Sequence, residues 1–470
     1  MSNGKSSKSA EIRARLGHPV IDADGHWVEY GPALNEYVAK ELGKDGVKRF
    51  WGGFANPAAN FEDPGSKAPS MVWWHLPTKS VEDRATAMLP KLMHKRLGEM
   101  GMDFSVLFPT IPGLLVNHAL HDPELRQAGC RAYNKYTADM FSGYTDRLCP
   151  VASIPMHTPQ EAVAELEHVK QLGFKVVALA GLFLRPHRAG GPAAGAPWHE
   201  LIGLDTECDY DPVWAKLLEL KLAPAFHSIG LGVGFRLSQN FVNNHIGHFA
   251  SAGAALCKAL FLGGITRRFP DLKFMFLEGG VTWGCSVYND LVGHWKARNP
   301  RALERVNPAN LNRAKLAELI QTHGHPLMRE VTRGKELELN DVVPAPADLD
   351  DYRKCGIETV EEIRDLFVPH FYFGCEAEDP MIHTAFNTRA NAFGARLNAV
   401  LGSDIGHWDV AEMAAILEES YELVEHGIIT EENLRDFTFT NPVDFLAGMN
   451  PDFFKGTAVE KEVASLMAGN

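Results

Sequence analysis

The sequence predicts a parallel (β/α)8 barrel, the TIM-barrel architecture, with a long first loop and a large insertion before the seventh strand. Eight short apolar segments recur along the 470 residues, and a helical pattern follows most of them. Strands that alternate with helices are typical of a parallel sheet, and eight such units close a barrel. A doubly wound open sheet is the alternative, but no GxGxxG follows the first strand.

The predicted strands are apolar runs that end at glycine, proline or a polar residue. They span residues 19–24, 104–109, 148–154, 175–180, 222–227, 272–277, 369–373 and 397–401. Helices are predicted over 32–42, 80–100, 122–141, 159–173, 211–220, 249–262, 410–425 and 431–436. Thr158 and Glu161 have the spacing of a capping box, and Pro90 should kink the helix that contains it.

One large domain with two insertions accounts for this pattern. Residues 1–16 are expected to form a flexible tail, residues 17–450 the barrel and residues 451–470 a C-terminal extension. The insertions are a Gly-, Pro- and Trp-rich loop at about 45–79 and a charged, partly helical segment at 295–366. A long loop in a compact domain usually has a function, so we expect the first insertion to shape a pocket.

Composition and charge limit the partners. The formal net charge of −13 makes nucleic acid and anionic membrane surfaces unfavourable. The seven cysteines are widely spaced without a CxxC, which fits the reduced thiols of the cytoplasm. No signal peptide is evident, and the most apolar long stretch, 249–265, contains Lys258 and is too short to span a bilayer. We therefore expect a cytoplasmic protein that acts on a small molecule and binds neither nucleic acid nor membrane.

Metal-binding or acid–base side chains follow four of the predicted strands. Asp24 and His26 end the first strand, His227 the fifth and Glu278 the sixth, while Asp404 and His407 follow the eighth. The carboxyl ends of the strands form the catalytic face of such a barrel. A single histidine at a strand end is more often structural, but such residues at four strand ends indicate a divalent-metal site. A non-catalytic barrel would have no need of this set.

Several short motifs, in their order and spacing, resemble the amidohydrolase superfamily, in the branch of aminocarboxymuconate semialdehyde decarboxylase and the resorcylate and carboxyvanillate decarboxylases. The matching stretches are Ile21-Asp-Ala-Asp-Gly-His26, Leu107-Phe-Pro-Thr110, Ala132-Tyr-Asn134, Pro224-Ala-Phe-His227, Arg268-Phe-Pro-Asp-Leu-Lys273, Gly402-Ser-Asp-Ile-Gly-His-Trp408 and Asn441-Pro442. They run through nearly the whole barrel part and cover neither insertion.

The resemblance implies a metal ion held by Asp24, His26, His227 and Asp404, which activates a water or polarises a substrate carboxylate or carbonyl. Zinc, manganese or iron would suit this mixed set of ligands. The implied reaction is hydrolysis or decarboxylation of a carboxylated, fairly apolar small molecule, aromatic substrates included. Members of such families are often dimers, so a homo-oligomer is expected.

The sequence departs from the decarboxylase pattern at Glu278, where the family usually has a histidine that acts as general acid or base. Three interpretations stay open: Glu278 replaces that histidine, or binds a metal, or pairs with an arginine. With Glu278 and His407 the protein offers six groups, enough for two metals about 3.5–4 Å apart. Some relatives of this branch resemble nonheme diiron oxygenases. The alternative function is therefore a dinuclear nonheme iron monooxygenase that hydroxylates a hydrophobic substrate.

Four further residues are candidates for substrate binding. One of His245 and His248, on the loop after the fifth strand, should contact substrate or cap the following helix, the other being structural. Arg185 can bind a substrate carboxylate, or it is a solvated loop residue. Trp74, in the long first loop, forms either an apolar wall over the substrate or part of the core. Glu376 is interpreted as part of a solvated acidic loop.

Overall fold

A computed structural model describes residues 6–53, 79–110, 113, 122–186, 197–227, 240–339 and 349–469. The strands in these residues are β1 Ile21–His26, β2 Phe104–Phe108, β3 Leu148–Ile154, β4 Val176–Leu179, β5 Leu182–Pro186, β6 Pro197–Leu201, β7 Ala223–Phe226, β8 Phe274–Phe276, β9 Phe371–Glu376 and β10 Asn398–Gly402. Strands β5 and β6 form an antiparallel hairpin of their own, inserted after β4.

The other eight strands form one parallel sheet in the order β1-β2-β3-β4-β7-β8-β9-β10. Neighbouring strands pair in register, for example Ala152 opposite Val177 and Val400 opposite Gly374. The barrel closes where the chain leaves β10, because the Asp404 amide donates to the Asp24 carbonyl at 2.9 Å and the His26 amide to the Ile405 carbonyl at 2.9 Å. The predicted (β/α)8 barrel is confirmed.

The helices pack around this sheet. They are α1 Lys8–Arg15, α2 Gly31–Gly53, α3 Val81–Met88, α4 Pro90–Arg96, α5 Pro123–Phe141, α6 Pro159–Gln171, α7 Asp211–Leu220, α8 Phe241–His245, α9 His248–Leu262, α10 Ile265–Arg268, α11 Thr282–Arg298, α12 Pro300–Leu303, α13 Arg313–His323, α14 Pro326–Thr332, α15 Glu362–Phe367, α16 Ile416–Glu425, α17 Glu431–Arg435, α18 Asn441–Met449 and α19 Glu460–Ala468. Within the described part of the chain, no helix has both the length and the apolar character needed to cross a membrane.

Local sequence explains several helix boundaries. The capping box is present, with the Thr158 hydroxyl accepting from the Glu161 amide and the Glu161 carboxylate accepting from the Thr158 amide. Pro90 begins a new helix after Leu89 rather than kinking a continuous one. Helix α2 runs on to residue 53 through Gly43, whose φ of 74° bends it. Residues 45–53 are therefore helical, which corrects the start of the predicted first loop.

The N-terminal segment is not the predicted flexible tail over residues 8–15. Ser7 caps α1 by accepting from the Ala10 amide at 3.1 Å, and Ile12 is 1% exposed. The Ser9 hydroxyl accepts from the Glu418 amide in the first turn of α16. One apolar side chain in a polar stretch was too weak a pattern to predict this packing.

The predicted insertion at 295–366 begins later than expected, because α11 extends to Arg298. Helices α13 and α14 contribute no buried residue, so they lie on the outside of the molecule. The chain returns to the barrel near Tyr352, which is buried and donates its hydroxyl to the Leu291 carbonyl at 2.9 Å. The outer part of the insertion therefore adds surface rather than core.

A fully buried carboxylate, Asp22, ties the first, second and last barrel strands together. It accepts hydrogen bonds from the Ser105 hydroxyl at 2.5 Å, the Ser403 hydroxyl at 2.8 Å and the Ser403 amide at 2.9 Å. Burial raises the pKa of Asp22 to about 6, although these hydrogen bonds act against the increase. Because a buried carboxylate is costly without donors, the two serines and Asp22 form one interdependent unit. We refer to it as the Asp22 clamp.

Replacing Gly25 by Ala should disturb the Asp22 clamp. A Cβ at Gly25 would lie 2.6 Å from Asp22 Oδ2 and 2.9 Å from Ser105 Oγ. Overpacking of this kind costs about 1–3 kcal/mol, so the Gly25→Ala variant should unfold at clearly lower urea concentration. The matched control is Gly17→Ala, because a Cβ at Gly17 meets no atom within 4 Å. Equal stability of the two variants would contradict the clamp.

Candidate metal centre

Six side chains from four strand ends meet in one buried cluster at the carboxyl end of the barrel. They are Asp24 and His26 of β1, His227 after β7, Glu278 after β8, and Asp404 and His407 after β10. No side chain of the six is more than 4% exposed. All the residues that the sequence assigned to the metal or the chemistry therefore lie together.

One group of candidate ligands consists of Asp24, His26 and His227. His26 Nε2 lies 3.6 Å from Asp24 Oδ1 and 3.1 Å from His227 Nε2. His227 Nε2 lies 3.9 Å from the same carboxylate oxygen. Two imidazole nitrogens and a carboxylate oxygen at these separations can be brought onto one cation.

A second group shares His26 and adds Glu278, Asp404 and His407. His26 Nε2 lies 3.2 Å from Asp404 Oδ1, and His407 Nδ1 lies 3.4 Å from Glu278 Oε1 and in contact with Asp404 Oδ1. In each group one candidate ligand atom per residue lies within 4.8 Å of the others. Glu278 also connects the groups, since its Oε2 lies 3.3 Å from His227 Nε2.

Several buried carboxylate oxygens in this cluster have no hydrogen-bond partner among the described residues. They are Asp24 Oδ1, Glu278 Oε2 and both side-chain oxygens of Asp404. Burying such oxygens without a donor or a cation is strongly unfavourable. A divalent cation would satisfy all of them, and a mixed set of carboxylates and imidazoles suits zinc, manganese or iron. The residues present thus fit a bound metal.

Burial dominates the electrostatics of the cluster. It raises the pKa of Asp24, Glu278 and Asp404 well above the usual range, and for Glu278 the neighbouring charges of Asp24 and Glu376 add to the increase. Burial lowers the pKa of His26 to about 3 and that of His227 and His407 well below the usual value. The histidines are therefore neutral, which is the form that binds metals.

A main-chain carbonyl fixes the orientation of His26. Its Nδ1 lies 3.1 Å from the Pro109 carbonyl oxygen, which can only accept, so Nδ1 carries the proton. The unprotonated Nε2 then faces Asp404 and His227. This is the arrangement in which metal-binding histidines are usually held.

Two of the acidic residues have strained backbones. Glu278 has a φ of 54° and Asp404 a φ of 47°, both in the left-handed region. Side chains other than glycine's adopt it at a cost of about 1–3 kcal/mol each, and functional sites are where such costs accumulate. Both strained residues belong to the cluster of candidate ligands.

The two histidines predicted to bind substrate lie beside the cluster. The His245 ring stacks on Phe241 with centroids 5.1 Å apart and meets Trp408 at 5.7 Å. His248 begins α9, with its Nδ1 2.8 Å from the His245 carbonyl oxygen and its ring against Phe249. Trp408 is 41% exposed, and we call Phe241, His245 and Trp408 the aromatic wall.

The other two predicted substrate residues gain no support. Arg185 lies in the β5–β6 hairpin, where its Nε donates to the buried Glu200 carboxylate at 2.5 Å and its Nη2 to the His157 carbonyl at 2.8 Å. Its charge is thus already balanced, and its substrate role stays only a prediction. Trp74 lies outside the described residues.

Sequence reasoning missed two acidic residues. Glu376, the last residue of β9, is half-buried and lies in the strand rather than in a solvated loop, so that interpretation is corrected. Burial and the charges of Asp409 and Asp24 raise its pKa well above the usual range. Its place at a strand end was the available signal. Asp22 was the other omission, because nothing in the motif distinguishes its clamp role from the role of Asp24.

Comparison with known proteins gives the family. The family model described as Amidohydrolase matches residues 21–307, more than half of the chain. The chain belongs to the amidohydrolase family. It is therefore an enzyme of the amidohydrolase superfamily, which confirms the resemblance found in the motifs.

Three solved structures are similar to the chain at low sequence identity. An amidohydrolase from Mycobacterium avium subsp. paratuberculosis K-10 is 16% identical with a TM-score of 0.52, the match covering 92% of this chain and 100% of that one. A dihydroxybenzoic acid decarboxylase from Polaromonas sp. JS666, with bound manganese and the inhibitor 2-nitroresorcinol, is 13% identical with a TM-score of 0.47 and coverages of 91% and 97%. The 5-carboxyvanillate decarboxylase of Sphingomonas paucimobilis is 14% identical with a TM-score of 0.44 and coverages of 91% and 98%.

Replacing Asp404 by Asn should abolish tight metal binding. The substitution removes one negative charge from the side chain. It also replaces one carboxylate oxygen with an amide NH2 group, which cannot bind a metal ion. Removing a residue that only hydrogen-bonds to a metal ligand typically weakens metal binding by roughly 10–100-fold. We expect the affinity for Mn²⁺ to fall by more than this when Asp404 itself is replaced. Equilibrium dialysis measures it, with Glu378→Gln, an exposed acid near the end of β9, as control. Equal affinities would contradict a ligand role for Asp404.

Proposed function

We propose that the protein is a divalent-metal-dependent enzyme that hydrolyses or decarboxylates a carboxylated, fairly apolar small molecule. The observation that carries the proposal is a set of buried Asp24, Glu278 and Asp404 oxygens that have no hydrogen-bond partner in the described part of the chain and lie beside three neutral histidines. Membership of the amidohydrolase family supports it.

In this proposal Asp24, His26, His227 and Asp404 bind the metal, which is zinc, manganese or iron. A bound divalent cation lowers the pKa of a water ligand to roughly 7 or polarises a carbonyl or carboxylate. Asp404 can also accept a proton from water, because His26 and His407 contact its Oδ1 while its Oδ2 has no hydrogen-bond partner among the residues that the structure describes.

Glu278 is the proposed general acid or base. Burial and the negative charges of Asp24 and Glu376 raise the pKa of Glu278, so it can hold a proton where an ordinary glutamate would have lost it. Its Oε1 lies 3.4 Å from His407 Nδ1, so His407 positions Glu278 and can exchange a proton with it. A protonated Glu278 can deliver its proton to a substrate carbon or leaving group at the same face of the site.

The aromatic wall supports an apolar, planar part of the substrate. Trp408 meets Phe241 edge to face at 5.3 Å, and Phe249 continues the row of rings to within 5.8 Å of His227. Such a surface binds a flat ring well. His245 belongs to the wall and is a proposed substrate contact, whereas the buried His248 fits the role of a structural residue at the start of α9.

Charge limits what the site can bind. Three ionised carboxylates against one divalent cation leave a net negative charge, and Glu376 adds to it. A carboxylated substrate is then repelled unless Glu278 keeps its proton or a second cation is bound. The two candidate ligand groups overlap at His26, whose Nε2 can bind only one ion, so a second cation would be held by Glu278, Asp404 and His407.

This observation supports one alternative, a dinuclear nonheme iron monooxygenase that hydroxylates a hydrophobic substrate. In that case Glu278 and His407 would be ligands of the second ion rather than acid–base groups. The alternative requires oxygen and a reductant, whereas hydrolysis and decarboxylation require neither. A homo-oligomer, most simply a dimer, also stays part of the proposal; the exposed apolar side chains of Leu327 and Val331 on α14 could contribute to its interface.

Metal content and oxygen dependence distinguish the two functions. We expect about one metal ion per chain in the purified protein. Under argon it should convert an aromatic carboxylic acid, with release of CO2 or of a hydrolysis product. Turnover should be lost after chelation and recovered when Mn²⁺ or Zn²⁺ is added. Two iron atoms per chain and turnover only with oxygen and reductant would select the monooxygenase. Chelated, metal-free enzyme that keeps full activity would contradict both.

A further inference from the structure

The loop after β2 determines how His26 is presented to the metal centre. Three successive contacts join the end of β1 to the end of β2. The Trp27 amide donates to the Phe108 carbonyl at 3.1 Å, the His26 Nδ1 donates to the Pro109 carbonyl at 3.1 Å, and the Thr110 amide donates to Glu29 Oε1 at 3.1 Å. The hydrogen bond to the Pro109 carbonyl therefore helps to set the orientation of the His26 ring and selects its tautomer.

Glu29 is the side chain that holds this part of the loop. Glu29 accepts one hydrogen bond from the Thr110 amide through Oε1 and a second from the Thr110 hydroxyl through Oε2. Both carboxylate oxygens therefore bind the residue next to Pro109. The side chain is buried, and burial raises the pKa of Glu29 to about 7 even though the Thr110 hydrogen bonds lower it. Burying a carboxylate is unfavourable, and a hydrophobic residue in this position would avoid that cost. The two hydrogen bonds to Thr110 offset the cost of burying Glu29.

The other side of the loop is fixed as well. The Ser153 hydroxyl at the end of β3 donates to the Gly113 carbonyl. A Cβ at Gly113 would overlap Pro109 and the ring of Tyr133, so the backbone there packs directly against the proline. With Ser153 on one side and Glu29 on the other, the Pro109 carbonyl has little freedom to move.

We propose that Glu29 is a positioning residue of the metal centre: by holding Thr110 it fixes the Pro109 carbonyl, which sets the tautomer and orientation of His26 so that Nε2 points at the metal. The inference rests on the proposed function, because it takes His26 as a ligand. Glu29 contacts none of the six residues of the cluster through its carboxylate, so it acts through Thr110, Pro109 and His26 in turn.

The test compares Glu29→Ala and Glu29→Gln with the wild-type chain, using Co²⁺ as the probe. Glutamine keeps an acceptor oxygen for the Thr110 amide, whereas alanine removes both acceptors. Glu161→Ala is the matched control, since Glu161 is also a buried acid that caps a main-chain amide, but it binds Arg126 and Thr158 instead of the loop after β2. Affinity is measured by competition with a chelator, and the visible spectrum reports the geometry around Co²⁺.

We expect Glu29→Ala to bind Co²⁺ about 10–100-fold more weakly and to change its visible spectrum. Glu29→Gln should restore affinity to within about threefold of the wild type. Glu161→Ala should lose stability but keep the affinity and spectrum. A purely structural role for Glu29 would give the Glu161→Ala result instead.

Equal Co²⁺ affinity and spectrum in folded Glu29→Ala and wild type would overturn the proposal. If Glu29→Ala does not fold, Thr110→Val decides, because it removes only the hydroxyl donor: we expect at least threefold weaker Co²⁺ binding, and unchanged affinity would refute the role of Glu29. A wild-type protein that binds no Co²⁺ at all would refute the proposed metal function, and the role of Glu29 with it.

Discussion

The metal centre depends on the junction of the first and last barrel strands, where the buried Asp22 carboxylate reinforces the main-chain hydrogen bonds. Asp22 accepts hydrogen bonds from Ser403, which lies 381 residues further along the chain, and from Ser105 on the neighbouring strand. Together with the main-chain hydrogen bonds from Asp404 to Asp24 and from His26 to Ile405, this clamp holds the first and last strands where the side chains of the metal cluster meet. Gly25 allows it, because any larger residue would press on the carboxylate that makes the connection. Fold and site therefore share one set of hydrogen bonds.

Two kinds of unfavourable feature coincide at that end of the barrel. Glu278 and Asp404 have left-handed backbones, and both have buried oxygens without a hydrogen-bond partner among the described residues. Each such feature costs free energy in the folded protein, and strain of this kind persists where function requires it. A cation between the carboxylates would offset their mutual repulsion and their burial together. A bound metal would therefore account for both the buried oxygens without partners and the strained backbones of Glu278 and Asp404.

The sequence predicted the barrel because its strands are short, apolar and regularly followed by helices, and it predicted the cluster because parallel strands place their carboxyl ends on one face. His227 and Asp404 were found by this reasoning. It could not separate Asp22 from Asp24, because a register shift within β1 decides which carboxylate faces the metal site. It could not see that Arg185 is already paired with Glu200, because that ion pair forms across a hairpin absent from the strand pattern. Glu376 was missed because neighbouring acids made its segment look solvated.

The central claim is that the six-residue cluster binds a divalent metal. The most direct measurement is anomalous X-ray diffraction from crystals grown with Mn²⁺, recorded near the manganese absorption edge. The account predicts a strong anomalous peak within bonding distance of His26 Nε2 and an Asp404 oxygen; a second peak nearby would indicate the dinuclear form. Crystals in which this cluster has no anomalous peak at saturating Mn²⁺, or in which the ion binds elsewhere, would contradict it.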